Sequence, residues 1–145
     1  MDKFQIGSAV SFTRTISESD INRFAALTGD FSPNHVDEEF MKNSVYGKRI
    51  AHGALLVGFM SKTSSMIIEN YSMDLDMGTP VSLGYDRVRF IKPVFIDDTI
   101  TVRYTVELFD QEQRRSNAAI KITNQHDEPV AMATHILKWV PNRSV

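Results

Sequence analysis

The stretch His52-Gly53-Ala54-Leu55-Leu56-Val57-Gly58-Phe59-Met60-Ser61-Lys62-Thr63-Ser64-Ser65-Met66-Ile67-Ile68-Glu69 decides the fold. Apolar residues fall on most faces of a helix drawn through it. That is the pattern of a helix buried by its surroundings. At about 27 Å it is too short to span a bilayer comfortably. The polar run from Ser61 to Ser65 also argues against lipid. A helix of this kind needs a broad apolar surface to lie against.

The C-terminal half supplies strands. Ile100, Val102, Tyr104, Val106 and Leu108 alternate with Thr99, Thr101, Arg103, Thr105 and Glu107, the period of a half-buried strand. Val81, Leu83 and Tyr85 alternate, as do Val88 and Phe90. The phase slips between Tyr85 and Val88, which predicts a bulge or twist there. Residues 118–123 and 130–140 form two more strands, joined by the polar turn of residues 124–129.

Ahead of the helix, residues 8–15 read as a strand. Ser17 reads as an N-cap, with Asp20 in the capping-box position. Ile21, Phe24, Ala25 and Leu27 form a helical apolar face, and Gly29 is a helix stop. Pro33 requires a turn or extended backbone and disfavours helix at Ser32. Asp37 to Asn43 is at most a short polar helix. The layout is a strand, a helical region with one long buried helix, then four antiparallel strands. One antiparallel sheet wrapped around that helix buries both, an α+β arrangement known as the hot-dog fold. Met60, Met66 and Met132 read as core residues.

Composition narrows the chemistry. The 145 residues make one domain, 1–145, with enough chain for a real core. A net charge of −2 gives no general attraction for nucleic acid, so an anionic ligand needs a local basic patch. With no cysteine, disulfides, thiolate catalysis and cysteine-ligated zinc are excluded. The N-terminus has no apolar signal-peptide region, and no stretch approaches the ~20 apolar residues of a membrane helix. The expected location is cytoplasmic, with no membrane partner.

Asp30 and His35 lie in Thr28-Gly29-Asp30-Phe31-Ser32-Pro33-Asn34-His35, between the first helix and the buried one. A carboxylate and an imidazole can hold one water, one member serving as base and the other as acid. The N-terminus of the buried helix, at Gly53, offers free backbone N–H groups and a positive dipole end for a developing oxyanion. Glycine there lets a ligand approach the backbone. Together these parts can add water to a polarised double bond. Each also has an ordinary structural role: Asp30 as a turn residue, His35 as a surface histidine. His52 reads as a structural hydrogen-bonding residue outside the catalytic set, His126 as solvated and His135 as structural. Asp30, His35, Asp37 and Glu38 cluster, but their spacing matches no strong metal-ligand motif, so no metal is expected.

The joint pattern resembles the MaoC-like dehydratases, also called (R)-specific enoyl-CoA hydratases. Gly29-Asp30-Phe31-Ser32-Pro33-Asn34-His35 is similar to that family's Asp-x-Asn-Pro-x-His motif, itself preceded by Gly. Ile50-Ala51-His52-Gly53-Ala54-Leu55 is similar to its Ile-x-His-Gly-x-Leu motif. Arg89-Phe90-Ile91-Lys92-Pro93-Val94, followed by Asp98-Thr99, is similar to its Arg-Phe-x-x-Pro-Val and Gly-Asp-Thr segments. The blocks are in order and together cover nearly the whole chain.

The resemblance implies a hot-dog homodimer, or a dimer of dimers. It implies Asp30 and His35 as the water-activating pair and the Gly53 amide as donor to the thioester oxygen. Three positions depart from the family pattern. Ser32 replaces Asn and can still hydrogen-bond locally. Asp97 replaces Gly before Asp-Thr, and Gly58 stands where some members carry serine.

The implied substrate is an acyl thioester carried by coenzyme A or acyl-carrier protein, with no further cofactor. Arg87, Arg89, Lys92, Lys48 and Arg49 are candidate phosphate or carrier contacts, with Arg89 and Lys92 favoured beside Pro93; Ser32 joins them as a substrate-side residue. The leading expectation is a hydro-lyase interconverting trans-2-enoyl and (R)-3-hydroxyacyl thioesters. The alternatives are an acyl-CoA thioesterase and a non-catalytic acyl-thioester-binding module.

Overall fold

The computed structural model describes residues 1–143. In chain order, β1 (Ala9–Thr15) leads to α1 (Glu18–Thr28) and two short helices, α2 (Pro33–Val36) and α3 (Glu38–Lys42). The long helix α4 (Gly53–Asn70) follows. Then come β2 (Thr79–Phe90), β3 (Thr99–Asp110), β4 (Arg115–Thr123) and β5 (Pro129–Val140). The strands form one antiparallel sheet in the order β1-β3-β4-β5-β2, with α4 packed on its inner face. This is the hot-dog arrangement. Among the described residues, no helix is long and apolar enough to cross a membrane.

Alternation sets the sheet's two faces. Ile100, Val102, Tyr104 and Val106 of β3 are buried, as are Ala118, Ile120 and Ile122 of β4 and Ala131, Ala133, Leu137 and Trp139 of β5. The helix meets them with Leu56, Met60, Thr63 and Ile67, one stripe at helical spacing. Thr63 fits this stripe because its hydroxyl donates to the Met60 carbonyl at 2.6 Å. Leu55, Val57, Phe59, Met66 and Ile68 are only half-buried, so one copy of the chain covers only part of the helix's apolar surface.

The α1 signals hold at both ends. Ser17 and Asp20 form the reciprocal capping box, and Gly29 closes the helix in the left-handed conformation. Leu27, expected on its buried face, is instead exposed, because Ile21 and Ala25 alone form the inner stripe. Met132 is also exposed rather than core, since the alternation of β5 turns it to the outer face. Ser32 stays extended and Pro33 opens α2, where its missing N–H costs nothing.

The predicted slip in β2 is a bulge between Asp86 and Arg89, with Arg87 at φ 54°. A second irregularity, between Ser82 and Gly84, and a third, between Val106 and Leu108, have no counterpart in the hydrophobic pattern. Asp97, in the place of a family glycine, keeps a glycine-like backbone at φ 72°.

One polar cluster sits inside the core. His135 is fully buried; its Nε2 bonds the Ser82 hydroxyl at 2.8 Å and its Nδ1 the Tyr104 hydroxyl at 3.0 Å. Burial pushes the His135 imidazole down to about 4. The unfolded chain takes up that proton near pH 6.5, and the native state does not. Stability present above about pH 6.5 is therefore lost as pH falls toward about 4, by up to about 3 kcal/mol. Urea unfolding of wild type and His135→Gln across this window should show a shallower pH dependence in the variant. Equal slopes would remove His135 from the acid response.

Candidate active site

The site lies where the turn after α1 meets the head of α4. Three bonds lace α2 to the segment before α4. The Ile50 N–H donates to the Asn34 carbonyl at 3.0 Å, His35 Nδ1 donates to the Ile50 carbonyl at 2.8 Å, and Arg49 Nε donates to the His35 carbonyl at 2.6 Å. The Ala51 N–H then reaches the Val94 carbonyl at 2.7 Å, tying the head of α4 to the loop after β2. A carbonyl can only accept, so His35 carries its proton on Nδ1. When neutral, it offers the Nε2 lone pair to the site.

His52 occupies the N-cap position of α4 and is buried. Its Nε2–H donates to the Asp30 carbonyl at 3.0 Å, as a structural hydrogen-bonding role requires. Its ring stacks on His35 with centroids 3.8 Å apart. Burial holds its pKa below the ordinary histidine range. Nδ1 of His52 has no partner among the described residues.

Asp30 is exposed. Its carboxylate accepts the Ser32 hydroxyl at 2.7 Å and the Ser32 N–H at 3.2 Å. Those bonds from Ser32 hold its pKa below the usual carboxylate range, so it is ionised at neutral pH. An oxygen of Asp30 and ring nitrogens of His35 and His52 lie within 4.8 Å of one another. Two hydrogen bonds through one water span about 5.6 Å, so a single water fits between the carboxylate and an imidazole. A metal ion fits less well. The histidine rings are stacked, so their in-plane lone pairs do not converge, and each ring already spends one nitrogen on a carbonyl.

His35 and Gly53 open on one cavity of about 290 Å³, whose walls include Tyr46, Leu56, Phe90 and Lys92. The Gly53 N–H is the first of α4 and has no acceptor among the described residues. A Cβ at Gly53 would lie 2.5 Å from the Phe90 ring, so this position must be glycine for the aromatic wall to close against it. Gly58 is exposed, with nothing within 4 Å of an added Cβ.

The cations divide. Lys92 lines the cavity and is ion-paired with Glu128. Arg89 is exposed, outside the cavity wall, and folds back onto the Val88 carbonyl at 2.7 Å. Lys48 sits over the Phe95 ring. Arg49, a candidate phosphate contact by sequence, is not available to a ligand. It is buried, and donates to Glu18, Asn22 and the His35 carbonyl, each at 2.6–2.7 Å. It straps the His35 turn to α1. Nothing in Lys48-Arg49-Ile50 separates that strut from its solvated neighbour. The Phe90–Gly53 contact was equally hidden, because it joins segments far apart in the chain.

A protein-family model described as "MaoC like domain" matches residues 3–129. The chain belongs to the MaoC-like family. An (R)-specific enoyl-CoA hydratase of Rhodospirillum rubrum is 37% identical over 69% of this chain and 64% of its own length. The protein MaoC of Klebsiella aerogenes is 33% identical over 71% of this chain and 29% of its own length. The match thus spans less than two thirds of both relatives. A 3-hydroxybutyryl-CoA dehydratase of Methylorubrum extorquens is 29% identical, over 81% of this chain and 70% of its own length.

Among solved structures, the (R)-hydratase of A. caviae involved in PHA biosynthesis shares the fold, with a TM-score of 0.82 at 21% identity, covering 94% of this chain and 98% of that one. A monoamine oxidase regulatory protein of an Archaeoglobus superposes with a TM-score of 0.78 at 34% identity, over 95% of this chain and 93% of that one.

Ser32→Ala removes the largest influence holding the Asp30 carboxyl down. Followed by NMR titration, that carboxyl should titrate at higher pH in the variant. An unmoved titration would show that Ser32 does not set the charge of Asp30.

Proposed function

We propose that this chain is a hydro-lyase that interconverts trans-2-enoyl and (R)-3-hydroxyacyl thioesters. The observation that carries it is the approach of an Asp30 carboxylate oxygen to within 4.8 Å of a His35 ring nitrogen, a span one water can bridge, with His35 opening on the same cavity as the Gly53 N–H, which has no acceptor among the described residues. The names of the relatives at 37% and 29% identity support the same class of reaction.

In the mechanism, the water donates to the Asp30 carboxylate and to His35 Nε2. One of them takes a proton as the water oxygen bonds to the β-carbon. The π electrons move toward the thioester oxygen, where the Gly53 N–H and the N-terminal dipole of α4 stabilise the negative charge. As the enolate collapses, the proton taken from water passes to the α-carbon. Both side chains begin as acceptors, so this proton is the one available, and H and OH add to the same face. The reaction balances as the addition of one water and needs no cofactor or metal.

We further propose a homodimer, the second copy covering the half-buried flanks of α4 and the open edge of β2. Ser32 supports the Asp30 carboxylate, while Lys92 and Arg89 meet the carrier's phosphates at the cavity mouth.

With crotonyl-CoA as substrate, Asp30→Asn and His35→Ala should each lose about 100-fold or more in kcat while remaining folded. Wild type should release no free thiol and should sediment as a dimer of the 16.4 kDa chain. Near wild-type rates in the folded variants would remove the Asp–His mechanism, thiol release would point to a thioesterase, and a monomer would remove the dimer.

A further inference from the structure

The outer face of the sheet carries a basic band of which the proposed chemistry uses only one end, Arg89. Register places Arg103 of β3 opposite Lys121 of β4, Lys121 opposite Met132 of β5, and Met132 opposite Arg89 of β2. All four are exposed, because the intervening residues of each strand face α4. At strand spacing the row runs about 14 Å across the sheet. Arg87, turned outward by the β2 bulge, adds a fourth cation. With Lys121 it flanks a cavity of about 330 Å³ lined by Ala119, Met132 and Thr134.

These charges are not neutralised within the chain. Arg87, Arg89, Arg103 and Lys121 form no ion pair among the described residues. The carboxylates on the same face are displaced from the row. Asp86 lies opposite Thr134, Asp110 lies opposite Arg115, and Glu107 sits at the β3 bulge. Like charges directly opposite each other on neighbouring strands are destabilising. A chain of net charge −2 nonetheless concentrates four cations here.

The chemistry of the band selects its partner. It is too long for a single phosphate. It carries no aromatic side chain on which a base could stack, which disfavours single-stranded nucleic acid. An exposed methionine and a shallow apolar pit between the cations suit an acidic amphipathic helix, about three turns of which cover the same length. The row also ends at Arg89, one residue before Phe90 in the wall of the His35–Gly53 cavity.

We propose that this outer face docks an acidic helical carrier protein whose pantetheine-linked acyl group enters that cavity. The proposal rests on the hydratase reading of the Asp30–His35 site and assigns the face on which the carrier-bound form of its thioester docks.

The test compares wild type with the double variant Arg103→Glu/Lys121→Glu, both positions exposed and outside the cavity. Kinetics would use crotonyl-acyl carrier protein and crotonyl-CoA. Binding of the unacylated holo-carrier would be titrated at low and high salt. Expected are a KM at least about tenfold higher for the carrier-bound substrate, unchanged kinetics with crotonyl-CoA, and wild-type carrier binding that weakens with salt. Equal effects on both substrates, or none on either, would overturn the docking. So would preferential binding of phosphatidylglycerol vesicles. If wild type turned over neither thioester, the hydratase reading would fail, and the carrier titration would decide the docking alone: binding lost in the double variant would uphold it, and absent or unaffected binding would overturn it.

Discussion

Burial of one stripe of α4 against the inner face of the sheet is the constraint on which the rest of the structure depends. Leu56, Met60 and Ile67 are each at least 97% removed from solvent, and each such burial contributes about 1.5–3 kcal/mol. The stripe leaves α4 little freedom to rotate or slide. It thereby fixes where the first N–H groups of the helix point. The Ala51–Val94 backbone bond then holds the head of α4 beside the loop that follows β2, and the cavity forms between them. Packing far from the cavity thus places the Gly53 N–H, the proposed oxyanion donor.

Asp30 and His35, the proposed acid–base pair, are positioned by different means. They stand on short, mostly exposed elements with little core of their own, so polar bonds replace packing. Arg49 spans from α1 to the His35 carbonyl, the Ile50 carbonyl sets the His35 tautomer, and His52 links the Asp30 backbone to the His35 ring. The lone Nδ1 of His52 is the cost of that arrangement, a buried acceptor with no partner among the described residues. Ser32 completes the set by hydrogen-bonding the Asp30 carboxylate and holding it below the usual carboxylate range, although it does not cap α2 with its side chain.

Much of this was legible in the chain. Periodicity located α4 and the strands because burial on one face imposes spacing directly. The phase slip after Tyr85 located the Asp86–Arg89 bulge for the same reason. Local motif spacing singled out Asp30, His35 and Gly53; the fold sets Asp30 beside His35, and His35 and Gly53 on one cavity. The failures share a cause. Leu27 and Met132 are apolar residues on faces with nothing beyond them in a single copy of the chain, and sequence pattern does not reveal what lies opposite a face. Arg49 was misjudged because a buried cation and a solvated one look alike until their partners, here Glu18 and Asn22, are brought close by folding.

The central claim is that one thioester and one water meet three fixed groups: the Asp30 carboxylate, His35 Nε2 and the Gly53 N–H. A crystal structure of the slow Asp30→Asn variant with crotonyl-CoA bound tests it most directly. The account predicts the thioester oxygen about 3 Å from the Gly53 nitrogen, and a water between the position-30 side chain and His35 Nε2, facing the β-carbon. An acyl group seated in another cavity, or a thioester oxygen turned away from the head of α4, would contradict it.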